Sequence, residues 1–90
     1  MLEKYAPLMD TENMSWQNTV TDADEVKVFM ALDGPEYTWR TIGGIARQTG
    51  LSEDRVASIL AKYNLKLTRL SDVPSVSGSA LVGLIEKVGV

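Results

Sequence analysis

The stretch TIGGIARQTGLSEDRVASIL, residues 41–60, constrains the fold of this chain more than any other. It divides at Gly50 into two helical halves. Thr41 is suited to cap the first half, because a threonine hydroxyl accepts a hydrogen bond from an otherwise unpaired N–H of the first turn. Ile42, Ile45 and Ala46 follow at helical spacing and point inward. Gly43 and Gly44 sit in that first turn, where each costs about 1 kcal/mol relative to alanine. Gly50 suits the left-handed residue that ends a helix. Ser52 then caps a second helix, with Glu53 and Asp54 at its positive end. Val56, Ile59, Leu60 and Tyr63 fall on one face of it. The spacing predicts two short helices, over 41–49 and 52–63, around a tight turn.

The flanking sequence extends this pair into one small domain, the most that 90 residues can build. Thr21 with Asp24 three positions on resembles a capping box with a shorter acid. Ala23, Val26, Phe29 and Met30 keep helical spacing, and Asp33-Gly34-Pro35 stops the helix. This predicts a helix over 22–33. Tyr37-Thr38-Trp39-Arg40 is short, aromatic and β-prone, and fits a minimal strand. After Asn64 the period shortens. A hairpin is expected, pairing 65–71 with 80–86 around the turn-forming run Pro74 to Ser79. Residues 1–20 show weak periodicity and read as a partly ordered N-terminal arm, with the folded domain over 21–90. Trp16 is the exception, expected to pack on the domain. The predicted core is Val26, Phe29, Met30, Ile42, Ile45, Ala46, Val56, Ile59, Leu60, Leu67, Leu81 and Leu84.

Composition removes several function classes. The chain has no cysteine and no histidine, which excludes disulfides and the usual zinc sites; no metal or cofactor is expected. Without those residues, nucleophilic and general-base chemistry lack their commonest carriers, and Gly43-Gly44 does not fit a phosphate-loop pattern. No catalytic residue is assigned, and the chain does not read as an enzyme. No apolar run reaches membrane-spanning length and the N-terminus lacks a secretory apolar region, so a cytoplasmic protein is expected. The net charge is −3, unevenly distributed: −6 over residues 1–37, +4 over 38–70 and −1 over 71–90. The positive charge lies in and just after the paired helices.

The order helix, short strand, helix, turn, helix, hairpin resembles the winged helix (winged helix-turn-helix) domain over residues 21–88. The carrying residues are TIGGIARQTGLSEDRVASIL for the paired helices and LKLTRL with SGSALVGLIE for the wing. The resemblance implies an α+β fold, mostly α, of three helices plus a small β-hairpin wing. It also implies a ligand. Many members bind duplex DNA, with the third helix in the major groove and the wing along the backbone or minor groove; a substantial minority bind protein instead. The long C-terminal helix by which some members dimerise is not expected from residues 86–90.

With Val56, Ile59, Leu60 and Tyr63 inward, the outward face of the third helix is Asp54, Ala57, Ser58 and Ala61, flanked by Arg55 and Lys62. Arg55, Lys62, Lys66 and Arg69 can neutralise phosphates, or equally can cover apolar surface with their stems. Ser58 can meet a base edge but discriminates little. Gly43 and Gly44 either let backbone N–H groups approach a phosphate or pack closely against Trp39 or a strand. The wing from Ser71 to Ser79 has no Lys or Arg and one Asp, although Ser75, Ser77 and Ser79 can donate to phosphates. Two readings stand. One is a transcriptional-regulator-like module that binds duplex DNA mainly through its backbone, with Arg55, Ser58, Lys62, Lys66, Arg69, Gly43 and Gly44 as contacts. The other is a protein–protein interaction module.

Overall fold

A computed structural model describes residues 16–89. Among them are four α-helices and a three-stranded antiparallel sheet, an α+β arrangement. Most of the N-terminal arm expected over 1–20 therefore lies outside the described residues, as does Val90. Residues 16–18 form a 3₁₀ turn, and Trp16 is buried, as expected. Its indole Nε1 donates to Asp33 Oδ2 at 3.1 Å, and its ring lies 5.5 Å from that of Phe29.

Helix α1 spans Ala23–Leu32. Its cap is Asp22, one residue after the expected Thr21. The Asp22 carboxylate accepts from the N–H groups of Asp24 and Glu25, and its charge suits the positive helix end. The buried stripe runs through Glu25, Val28, Phe29 and Leu32. This corrects the predicted core: Met30 is 61% exposed. Met30 lies about 100° beyond Phe29, away from the stripe. A glutamate occupies one of the core-facing positions, and that concealed the stripe's true phase.

Strand β1 is only Arg40–Thr41, at the end of the expected Tyr37–Arg40 segment. Thr41 also caps helix α2, Ile42–Thr49, accepting from the Gly44 N–H at 3.0 Å. Gly50, at φ +80°, closes α2 as expected. Helix α3 spans Glu53–Tyr63, and Ser52 Oγ accepts from the Arg55 N–H at 3.0 Å. Its buried face is Val56, Ile59, Leu60 and Tyr63, the face read from the sequence.

The hairpin is shorter than expected and inverted in phase at its start. Strand β2 is Thr68–Leu70 and strand β3 is Leu81–Leu84. Leu65 takes φ +66°, which turns the chain sharply after α3. Leu65 to Leu67 therefore make a turn, closed by Leu65 N–H donating to Thr68 O at 2.7 Å. Thr68 is buried and Leu65 is 72% exposed, while Leu67, expected in the core, packs partly buried against it. Strand β3 is central, pairing Arg40 with Val82 on one side and Leu70 with Val82 on the other. The minimal strand thereby joins the hairpin into one sheet of order β1-β3-β2.

A short helix α4, Ile85–Val88, stands where the sequence pattern predicts strand through 86. Gly83 sits between β1's approach and this helix. A Cβ there would stand 3.0 Å from Thr38 O, Trp39 Cε3 and Val88 Cγ1. Only glycine allows that close approach. The core gathers Val28, Phe29 and Leu32 of α1, Ile45 of α2, Val56 and Ile59 of α3, and Val82 and Leu84 of β3.

Candidate interaction surface

Helix α3 is held by its two flanks in different ways. On the side facing α1, its bases meet acids. Arg55 Nη2 lies 3.6 Å from Asp22 Oδ2, and Arg55 Nε lies 3.4 Å from Asp24 Oδ2. Lys62 Nζ donates to Glu25 Oε2 at 2.7 Å, and the Tyr63 hydroxyl donates to Glu25 Oε1 at 2.5 Å. The Glu25 side chain is buried under these contacts. The hydrogen bond from Lys62, then that from Tyr63, outweighs the opposing effect of burial and holds the Glu25 carboxyl below its ordinary range. The same contact raises Lys62, whose ammonium gains an anionic partner. It raises Tyr63 as well, because the carboxylate accepts from the neutral phenol. The acid-rich first third of the chain thus supplies counter-charges to the basic flank of α3.

On the other flank α3 borders an apolar groove. Ile42, Ala57, Leu60, Ala61, Asn64, Leu70 and Val82 line about 280 Å³ between α3 and the hairpin. None of these side chains is charged. Leu70 and Val82 are register partners, so one rung of the sheet forms the far wall. Helical spacing brings Ala57, Ala61 and Asn64 to the near wall. Exposed Leu70 and Leu65 add apolar surface at the Asn64 end of α3.

The expected contact residues do not converge. Arg55 and Lys62 turn toward α1. Ser58 is exposed on the outward face. Lys66 is exposed in the turn after α3 and, among the described residues, makes no ion pair. Arg69 alternates with Thr68 and Leu70 and so leaves β2 on the face away from the groove. There its guanidinium lies 5.8 Å from the Trp39 ring centre and 3.6 Å from Asp72 Oδ1. Gly44 is packed, not open: a Cβ would lie 3.1 Å from Thr41 Oγ1 and 3.3 Å from Arg40 Nη2. Its N–H is already used by Thr41. A Cβ on Gly43 would meet Arg47 Nη1 and Glu53 Oε2 at 3.6 Å, ordinary contact. In the loop between β2 and β3, the hydroxyls of Ser75 and Ser77 approach to 3.0 Å, and Ser75 Oγ accepts from the Ser79 N–H at 3.0 Å. Val73 and Val76 are exposed large apolar side chains of the same loop.

Sequence reasoning missed two features. One is Arg40, whose Nη1 donates to Ala31 O at 3.1 Å and Gln48 Oε1 at 2.7 Å, joining α1 to α2. The other is the groove, whose walls come from segments remote in sequence. Its only sequence signal was the pair of alanines on the outward face of α3. No described helix is long and apolar enough to cross a membrane. Compared with known proteins, the chain matches no family model, no curated protein and no solved structure.

Proposed function

We propose that this chain folds as a winged helix and works as a protein–protein interaction module, docking its partner in the groove between α3 and the hairpin. The fold assignment rests on the element order, on the α2–turn–α3 pair and on the β2–β3 hairpin that packs beside it. One observation carries the functional reading. The groove beside α3 is lined only by uncharged side chains, whereas the bases on α3 itself are turned away and paired with acids. A surface that reads DNA needs cations facing phosphates and polar groups facing base edges. A surface that binds protein needs a desolvated apolar centre with a polar rim, and Leu70, Ala57 and Ala61 supply that centre.

The test is fluorescence anisotropy of a labelled duplex over a range of salt concentrations. The expected result is no binding at physiological salt and at most weak binding at low salt. Duplex binding tighter than about 10⁻⁶ M, with an affinity that falls steeply with salt and a slope reduced by Lys66→Ala, would establish the DNA reading instead.

A further inference from the structure

We infer that the occupant of this groove is a second copy of the same chain, paired antiparallel through helix α3 about a two-fold axis. The inference rests on the docking reading above and adds to it the identity of the partner. It starts from the charges that the single chain leaves unmatched. Among the described residues, Asp54 at the start of α3 and Lys66 just past its end make no ion pair, and both are exposed. Between them the outward side of α3 is small: Ala57, Ser58 and Ala61.

At 100° per residue, Asp54, Ala57 and Ala61 fall within a sector of about 60°. Set two such helices antiparallel, with Ala57 of each copy against Ala61 of the other. Asp54 of one copy then stands opposite Asn64 of the other, with Lys66 immediately beyond. The acidic end of each helix meets the basic end of its mate, and the helix dipoles are aligned favourably. The surface is complementary to itself, as a two-fold interface requires. Alanines at the crossing allow the axes to approach to about 8 Å.

The turn after α3 gives the second argument. Leu65 is 72% exposed and holds φ +66°, a conformation that L-residues other than Asn and Asp avoid. Asn or Gly would fit this turn with less strain, and the leucine side chain is covered only slightly by its own chain. Antiparallel pairing carries it toward the start of the other copy's α3, where Glu53 lies beside Gly43 and the neighbouring Ile42 lines the groove. Backbone strain at an exposed apolar residue is accounted for when that residue is buried by a partner. One helix and one hairpin edge make a smaller contact than the roughly 800 Å² per partner of stable complexes, so the pair is weak.

Sedimentation equilibrium of the whole chain up to about 1 mM, the weak end of the affinity scale, tests this. The expected result is a monomer–dimer equilibrium. Asp54→Lys and Lys66→Glu should each weaken it about tenfold, and the double substitution Asp54→Lys with Lys66→Glu should restore it, because the exchanged charges still match across the two-fold axis. Leu65→Asn should weaken the dimer while circular dichroism shows the fold intact. A wild-type chain that stays monomeric throughout overturns self-pairing, and so does a dimer that the double exchange fails to restore. Neither result is the one that would overturn protein docking, which the duplex experiment decides separately.

Discussion

At the scale of single residues, Glu25 is the most consequential charge. It occupies a core-facing position of α1 and is made tolerable there by Lys62 and Tyr63. Its folded-state pKa lies below the ordinary 4.5, so the unfolded chain binds the proton more readily. The stability it contributes is complete above about pH 4.5 and is lost as pH falls through the lower folded value. Acid unfolding of Glu25→Gln should therefore show a flatter profile through that window than the wild type. Tyr63 has the opposite sign. Its pKa is raised above 10.0, so its contribution is complete below that pH and fades as pH rises through the folded value. Tyr63→Phe should cost about 1–3 kcal/mol in urea denaturation at neutral pH, because a buried carboxylate oxygen loses a donor. A loss below about 0.5 kcal/mol would mean that water replaces the hydroxyl. Gly83→Ala should cost about 1–3 kcal/mol, since the added methyl meets a carbonyl oxygen and two side chains at 3.0 Å.

At the scale of elements, the paired helices were the most legible part of the chain. Their caps, Thr41 and Ser52, and the left-handed Gly50 are local devices, and local devices are written in adjacent residues. The hairpin was legible in kind and not in phase. Its register depends on Leu65, whose positive φ no leucine announces. Leu65→Gly should raise stability by up to about 1 kcal/mol, the strain relieved less the entropy that glycine adds to the unfolded chain. Differential scanning calorimetry at low protein concentration isolates that effect from any pairing of chains. Helix α4 was missed because Ile85 continues an apolar β-prone run; the chain turns where Val88 packs back toward Gly83.

At the scale of the whole molecule, aromatic packing ties the ends of the fold together. Trp16 packs on Phe29 with the rings tilted by 33°, and Phe29 meets Tyr63 edge-on at 5.2 Å, so one aromatic row links the 3₁₀ turn, α1 and α3. Trp16→Ala should cost about 3–5 kcal/mol. Ile59→Ala should cost about 2–5 kcal/mol, Ile59 being fully enclosed in the core. Each loss is a large share of the stability available to a domain this small, so either variant should melt well below the wild type when followed by circular dichroism. The sequence by itself determined the helices α1 to α3, the caps of α2 and α3 and the inward face of α3, because helical periodicity and capping act over three or four residues. It also determined where the charges lie along the chain. Only the tertiary structure decided which charges meet. Asp22, Asp24 and Glu25 stand some thirty residues or more before Arg55 and Lys62, and folding α1 against α3 turns a basic flank into a neutralised one. The groove has the same origin. Ile42, Ala57, Leu70 and Val82 share a surface only after three elements pack, since an apolar concavity is a property of the assembled layers and of no single segment.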